Sequence, residues 1–354
     1  MLSYRKLAMR VLGHPLHTGG NDSPRPASQR AAAFILTAAM LTTLAAPAFA
    51  DTWCIENGNI TVKAGDTEGT NKVSQGSIID REDTNTIITN SDKDTASSNT
   101  VTIDAGNDKV EVTLDNVNIK AGSGSALTSK GDVTLTLKGD NHLTGGISDT
   151  GNYGRNGIAS TGSLTITGGE NGSLTAQGGS GADGGHGGHG IYSNGSLTIS
   201  GGSTVTANGG NGGNVSGDGI SSNGSVTISG GTVTANGGDG SSGGDGIRSG
   251  DIDLSGSLEL TAKAGSPNGK ALSQRGNELD LDDIKDKLGP GAKVTATDAN
   301  GETKQVSIPR PVEPEEPSSS SDGGSATPST PASPLPGLTV TDKDGQRISY
   351  TSTQ

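Results

Sequence analysis

The side chains able to do chemistry in this chain are few and sit among glycines. Asn156, His189, Asp218 and Asp245 each stand immediately before a Gly-Ile pair, at intervals of 33, 29 and 27 residues. Stacked in register, such a column places neighbours about 4.8 Å apart. Two carboxylates at that spacing repel by about 1 kcal/mol in water-like screening and by about 3–4 kcal/mol at an effective dielectric of about 20. A Ca²⁺ ion reverses that sign, because it prefers hard oxygen ligands such as Asp, Asn and the carbonyls that glycine loops expose. Asn156, Asp218 and Asp245, with Asp183 and Asp239 in the adjoining loops, are therefore the candidate calcium ligands. The plainer reading makes them solvated turn residues, favoured there for backbone reasons.

His186 and His189 lie in Gly-Gly-His-Gly-Gly-His-Gly, and neither recurs as histidine in the other copies. Gly188-His189-Gly190 matches the GHG of polygalacturonase-type hydrolases, but the further carboxylate pairs and basic Arg-Ile-Lys-type motif those enzymes need are missing. A polysaccharide lyase needs Arg or Lys near the reacting carbon, to take a proton and steady the enolate-like charge. Between residues 157 and 250 the one such side chain is Arg248, which stands beside Asp245 and reads as half of a surface pair. The expectation is a protein that is not an enzyme. Tyr153 and Tyr192 are the aromatic residues placed to line a carbohydrate site, one in the insertion before Gly157 and one just after His189. A hydroxyl-rich strand face with Asn and Asp corners adds hydrogen-bonding capacity for glycans.

What positions these residues is a repeat. GIASTGSLTITGG from Gly157, GIYSNGSLTISGG from Gly190, GISSNGSVTISGG from Gly219 and GIRSGDIDLSGS from Gly246 align, and a weaker copy starts at Ala126. Each full copy carries three short alternating stretches. In the first, Ile158, Leu164, Ile166, Leu174 and Ala176 fall on one face and threonines on the other. Burying four Leu/Ile side chains contributes about 6–12 kcal/mol gross, while ordering about 20 residues costs on the order of 20–40 kcal/mol. One coil cannot stand alone, but stacked coils can. The pattern predicts an all-β, right-handed parallel β-helix with three short strands per coil over residues 101–265. Its glycines are expected at turns: Gly162, Gly195 and Gly224 at the first, where positive φ is anticipated, and Gly168-Gly169, Gly201-Gly202 and Gly230-Gly231 at the second. Gly178-Gly179, Gly209-Gly210 and Gly237-Gly238 precede a loop of variable length that gathers on one side.

Composition agrees with this solenoid and narrows its partners. Residues 145–250 hold 36 glycines, yet no Gly-X-Y register, so collagen is excluded. Residues 31–46 are uncharged and mostly apolar, follow Arg5, Lys6, Arg10, Arg25 and Arg30, and precede Ala48-Phe49-Ala50. They read as a signal peptide over residues 1–50, cleaved after Ala50, which makes the protein secreted or cell-surface associated. The full chain carries a formal charge of −13, and removing five basic residues and one acidic residue leaves −17. That balance argues against nucleic acid, which is bound through cationic contacts to phosphate. No second apolar span follows, so no membrane insertion is expected after cleavage, and Cys54 is alone. Residues 51–100 read as an N-terminal cap and first coils, and 266–308 as a C-terminal cap with a short helix at 282–288 and a hairpin. Residues 309–336 form a Pro/Ser-rich linker and 337–354 a short tail.

The segment VEVTLDNVNIKAGSGSAL (110–127), the GIxS-x-GSLTI-xGG units and the recurring Gly-Asp-Gly-Ile (217–220, 244–247) resemble a bacterial family of secreted, calcium-dependent carbohydrate-binding β-helix proteins with a pectate-lyase-like fold. The likeness covers about residues 100–265. It implies binding of acidic or cellulosic plant polysaccharide without cleavage. The family's acidic turn, an Asp before Gly-Ile and a second acid after the strand, carries over onto Asp218 and Asp245, with Asp251 following the latter's strand. Asn156, His189 and Asn223 depart from it, which implies fewer or weaker calcium sites. The sequence thus leads to the expectation of a secreted, non-catalytic polysaccharide-binding protein that uses Ca²⁺. A surface adhesin or structural spacer is the runner-up, and a pectate-lyase-like enzyme the third reading.

Overall fold

Inward-facing residues of successive copies pair in register, as the alternation demands. The computed structural model describes residues 51–148, 152–182 and 184–310; residues 1–50, read above as a signal peptide, Asp183 and residues 311–354 lie outside the described residues. One parallel ladder runs through Leu127, Ile158, Ile191, Ile220, Ile247 and Leu272. A second runs through Val133, Leu164, Leu197, Val226 and Ile252. The third runs through Asn141, Leu174, Val205, Val233, Leu260 and Val294. Three ladders wound about one narrow core make a right-handed parallel β-helix of about six turns. Ile158, Leu164, Ile166, Leu174 and Ala176 are all buried. Burial of small apolar groups from every coil into one continuous core offsets the ordering cost that a single coil could not meet.

The parallel stack reaches further than residues 101–265. Ile60–Ala64 pairs parallel with the strand that starts at Val101, and Leu272–Gln274 and Lys293–Thr297 extend the far end. Both ends then change direction. Asn71–Gln75 and Ile78–Asp83 add antiparallel strands at the N-terminal end, and Thr303–Ser307 folds back on Lys293–Thr297 at the other. These antiparallel strands cover part of the edge that each terminal coil would otherwise present. The expected short helix is a 3-10 helix, Leu281–Lys287, whose cap Asp280 accepts a hydrogen bond from the Asp282 N–H.

The glycines serve a different purpose from the one anticipated at the first turn. Positive φ occurs at Gly201 (84°) and Gly231 (73°) in the second turn, but not at Gly162, Gly195 or Gly224. Those three are needed for room: a Cβ on Gly162 would lie 2.1 Å from the Gly131 carbonyl oxygen, and one on Gly224 2.8 Å from Gly195. Crowding is as tight at the third corner, where a Cβ on Gly209 would stand 1.9 Å from the Gly217 oxygen.

That third corner is zipped by a run of backbone hydrogen bonds. Gly188 N–H donates to Gly179, Gly210 to Gly188, Gly217 to Gly210, Gly238 to Gly217, Gly244 to Gly238 and Gly265 to Gly244, at 2.7–2.9 Å. The chain leaving each coil is thereby clasped to the chain entering the next. The loops vary in length only beyond this base, and side chains standing at the base are held firmly.

Candidate functional site

The residues before each Gly-Ile pair are held at this clasped corner, and each reaches toward the next coil. Asn156 Oδ1 accepts from the His189 N–H at 2.8 Å, His189 Nδ1 from the Asp218 N–H at 2.9 Å, Asp218 Oδ1 from the Asp245 N–H at 2.8 Å, and Asp245 Oδ1 from the Lys270 N–H at 2.8 Å. The column is a ladder of side-chain acceptors that satisfies one backbone donor per coil. That shared task explains why Asn, His and Asp alternate there: each offers an acceptor at similar reach. For His189 it requires the neutral ring with its proton on Nε2. Asn211 and Asp239 repeat the device further out, with the Asp239 N–H donating to Asn211 Oδ1 at 2.9 Å and the Ser266 N–H to Asp239 Oδ1 at 2.7 Å.

Electrostatics centre on Asp218, which is only 4% exposed. Its Oδ2 lies 2.8 Å from Arg248 Nε and 3.3 Å from His189 Nδ1. Arg248 therefore pairs with the carboxylate of the preceding coil, not with Asp245 as the sequence suggested, and its guanidinium also donates to Ser221 Oγ at 3.2 Å. In a parallel solenoid the lateral neighbour is a residue one repeat away, which proximity along the chain does not reveal. Burial pushes the His189 imidazole below its ordinary pKa, the Asp218 charge opposing and Arg248 reinforcing that shift. Burial pushes the Asp245 carboxyl upward, countered by the Lys270 N–H and aided by the Asp218 charge.

These contacts engage one side-chain oxygen in each of Asn156, Asp218 and Asp245. Calcium takes about six to eight oxygen ligands. Among the described residues no three His, Cys, Asp or Glu side chains converge as a metal site requires. Asp251 is exposed at the far end of the Ile247–Ser249 strand from Asp245, and its N–H donates to Ser249 Oγ at 3.3 Å. Asn156, Asp218, Asp239 and Asp245 each give an oxygen to a backbone N–H, and Arg248 adds positive charge beside Asp218. Asp183 lies outside the described residues.

The two tyrosines fall at the same corner. Tyr153 is 49% exposed and its ring lies 5.3 Å from that of His186. Tyr192 stacks on His189 at 5.6 Å, and its hydroxyl accepts from Asn223 Nδ2 at 3.0 Å. Tyr153, His186 and Val215 bridge in succession and form a partly apolar lip. His186 and Val215 also border a cleft of about 380 Å³ whose lining includes His189, Asp218, Asp245, Arg248 and Lys270. A larger cleft of about 530 Å³ in the N-terminal cap, between the 65–70 loop and residues 108–111, has no aromatic lining. Lys270 and Asn211 were missed from sequence, since one lies past the aligned repeats and the other in the variable loop. The 28-residue offset between Asn211 and Asp239 was the available signal.

The chain matches no protein-family model, no curated protein and no solved structure. No helix among the described residues is long and apolar enough to cross a membrane.

Proposed function

We propose that this chain is an exported, non-catalytic polysaccharide-binding β-helix whose contact region is the clasped corner. The observation that carries the reading is the cleft that gathers His186, Arg248 and Lys270 on a strongly acidic chain, with the exposed Tyr153 ring against His186 at its edge. An exposed aromatic face offers a platform for a sugar ring, and Lys270 with the guanidinium N–H groups of half-exposed Arg248 not used by Asp218 and Ser221 offers partners for the carboxylate of an acidic sugar. Hydroxyls extend the contact surface along the solenoid: Thr175, Thr206, Thr234, Thr261 and Thr295 stack in register on the outer face of the third sheet. A binding rather than a catalytic role is supported by how the cleft's ionisable groups are engaged. His189, Asp218 and Asp245 hold backbone donors, and Arg248 is paired. Calcium has no step in this reading.

Affinity gels cast with polygalacturonate and with a neutral β-glucan test the proposal, run with calcium and with chelator. Retention on the acidic polymer that survives chelation and falls at least tenfold in the Arg248→Ala, Lys270→Ala double variant is the expected result. No retention on either polymer, alongside binding to cells or matrix, would favour the adhesin or spacer reading instead.

A further inference from the structure

The N-terminal cap holds a fully buried carboxylate, Asp83, that meets only neutral donors. Asp83 is 0% exposed. Its hydrogen-bond donors are Trp53 Nε1 on Oδ2 at 2.8 Å, and the Asn85 N–H at 3.0 Å and Asp51 N–H at 3.3 Å on Oδ1. All three are neutral in the uncut chain. Among the described residues no Lys, Arg or His side chain pairs with Asp83; Arg81, two positions earlier, is held instead by Asp51 Oδ2 at 2.9 Å. A buried carboxylate with neutral donors but no counter-charge is a poor arrangement, because desolvation of the charge is only partly offset.

One of those donors is the backbone nitrogen of Asp51, the residue that follows the Ala48-Phe49-Ala50 cleavage signal. Hydrolysis adds water across the Ala50–Asp51 bond and leaves a carboxylate on Ala50 and an amine on Asp51. With an ordinary pKa of about 8, that amine is largely protonated at neutral pH. We propose that cleavage after Ala50 makes the Asp51 α-ammonium the counter-charge of buried Asp83, so that removal of the leader completes the N-terminal cap.

The consequence for the fold is direct. Thr52–Cys54 pairs with Ile87–Thr89, and Trp53 and Ile55 are buried in the core at the solenoid's first end. A solenoid depends on its caps, since an end coil has a neighbour on one side only. The charged groups around the new amine are Asp83, the Asp51 carboxylate and Arg81, the last two paired with each other. The buried carboxylate raises the amine's pKa in the folded state. Its contribution to stability is then fully present below about pH 8 and is lost as pH rises through the raised value. This inference rests on the cleavage position and is independent of glycan binding.

The test compares a chain beginning at Asp51 with one that retains residues 48–50, both ending at Gln354. The Asp51 form is expected to melt several degrees higher at pH 7, and the gap to close as pH rises past the amine's titration. Asp83→Asn should remove the gap. If that variant does not fold, acetylation of the Asp51 amine replaces it, and should lower the melting temperature to that of the extended chain. Intact mass of the exported protein should place its first residue at Asp51. Equal melting temperatures with parallel pH profiles, or a mature chain starting elsewhere, overturns the proposal.

Discussion

Asp218 and Asp83 are both buried carboxylates, yet their neighbours are supplied in different ways. Asp218 belongs to the repeating part, where the next coil supplies the Asp245 N–H and Arg248. Asp83 belongs to the cap, where no further coil exists and its donors come from the first residues of the described chain, Asp51 and Trp53, and from Asn85. In the repeat, a polar group can be buried because translation by one coil brings a partner to the same place each time. At the end of the stack that symmetry stops, and the partner has to be provided individually.

If the repeat supplies partners by translation, then the backbone clasp that fixes its corner should be its most sensitive part. Gly209→Ala puts a Cβ 1.9 Å from the Gly217 oxygen and should cost about 3 kcal/mol or more. Gly169→Ala meets nothing within 4 Å and should stay within about 0.5 kcal/mol. Urea denaturation of the two variants measures the contrast, and equal losses would remove the distinction between clasp and turn.

Next in size is the acceptor column. Asp218→Ala leaves the buried Asp245 N–H without its acceptor and should destabilise by about 1–3 kcal/mol. Asp218→Asn keeps an oxygen in place and should lose less, because Arg248 is half exposed and its ion pair is screened. A result in which Asn and Ala behave alike would place the value of Asp218 in its charge rather than in the ladder.

The smallest effect concerns pH. His189 is held neutral by burial, so its folded pKa lies below the unfolded value of about 6.5. The unfolded chain takes up the proton first, and stability contributed by neutral His189 is lost as pH falls below that value. The slope is at most about 1.4 kcal/mol per pH unit. His189→Asn, which copies Asn156 one coil earlier, should flatten thermal stability between pH 7 and pH 5. Asp245 acts in a lower window with the opposite sign: its raised pKa favours the folded state when protonated, so stability falls as pH rises through its titration.

The strand positions and the inward face were legible because both follow from period-two alternation within a repeat. The column of Asn156, His189, Asp218 and Asp245 was legible as a column, but the backbone N–H that each side chain accepts from was not. Spacing alone shows that oxygens stack; it does not show whether they face an ion or a neighbouring N–H. The same limit applies to Gly162: the sequence marks a turn glycine, but only the packed neighbour shows that the Gly131 carbonyl, and not a positive φ, demands it. Arg248 shows it again, since its partner is 30 residues away in sequence but one coil away in space.

Sequence by itself determined the solenoid, its three faces and the residues that share a column, because one alternating pattern repeated at near-constant length leaves a single way to bury its apolar groups. Tertiary structure decided what those columns do. Which oxygen meets an N–H, which carboxylate meets Arg248 and which end residue meets Asp83 depend on contacts between coils, and those are set by lateral packing that no single repeat contains.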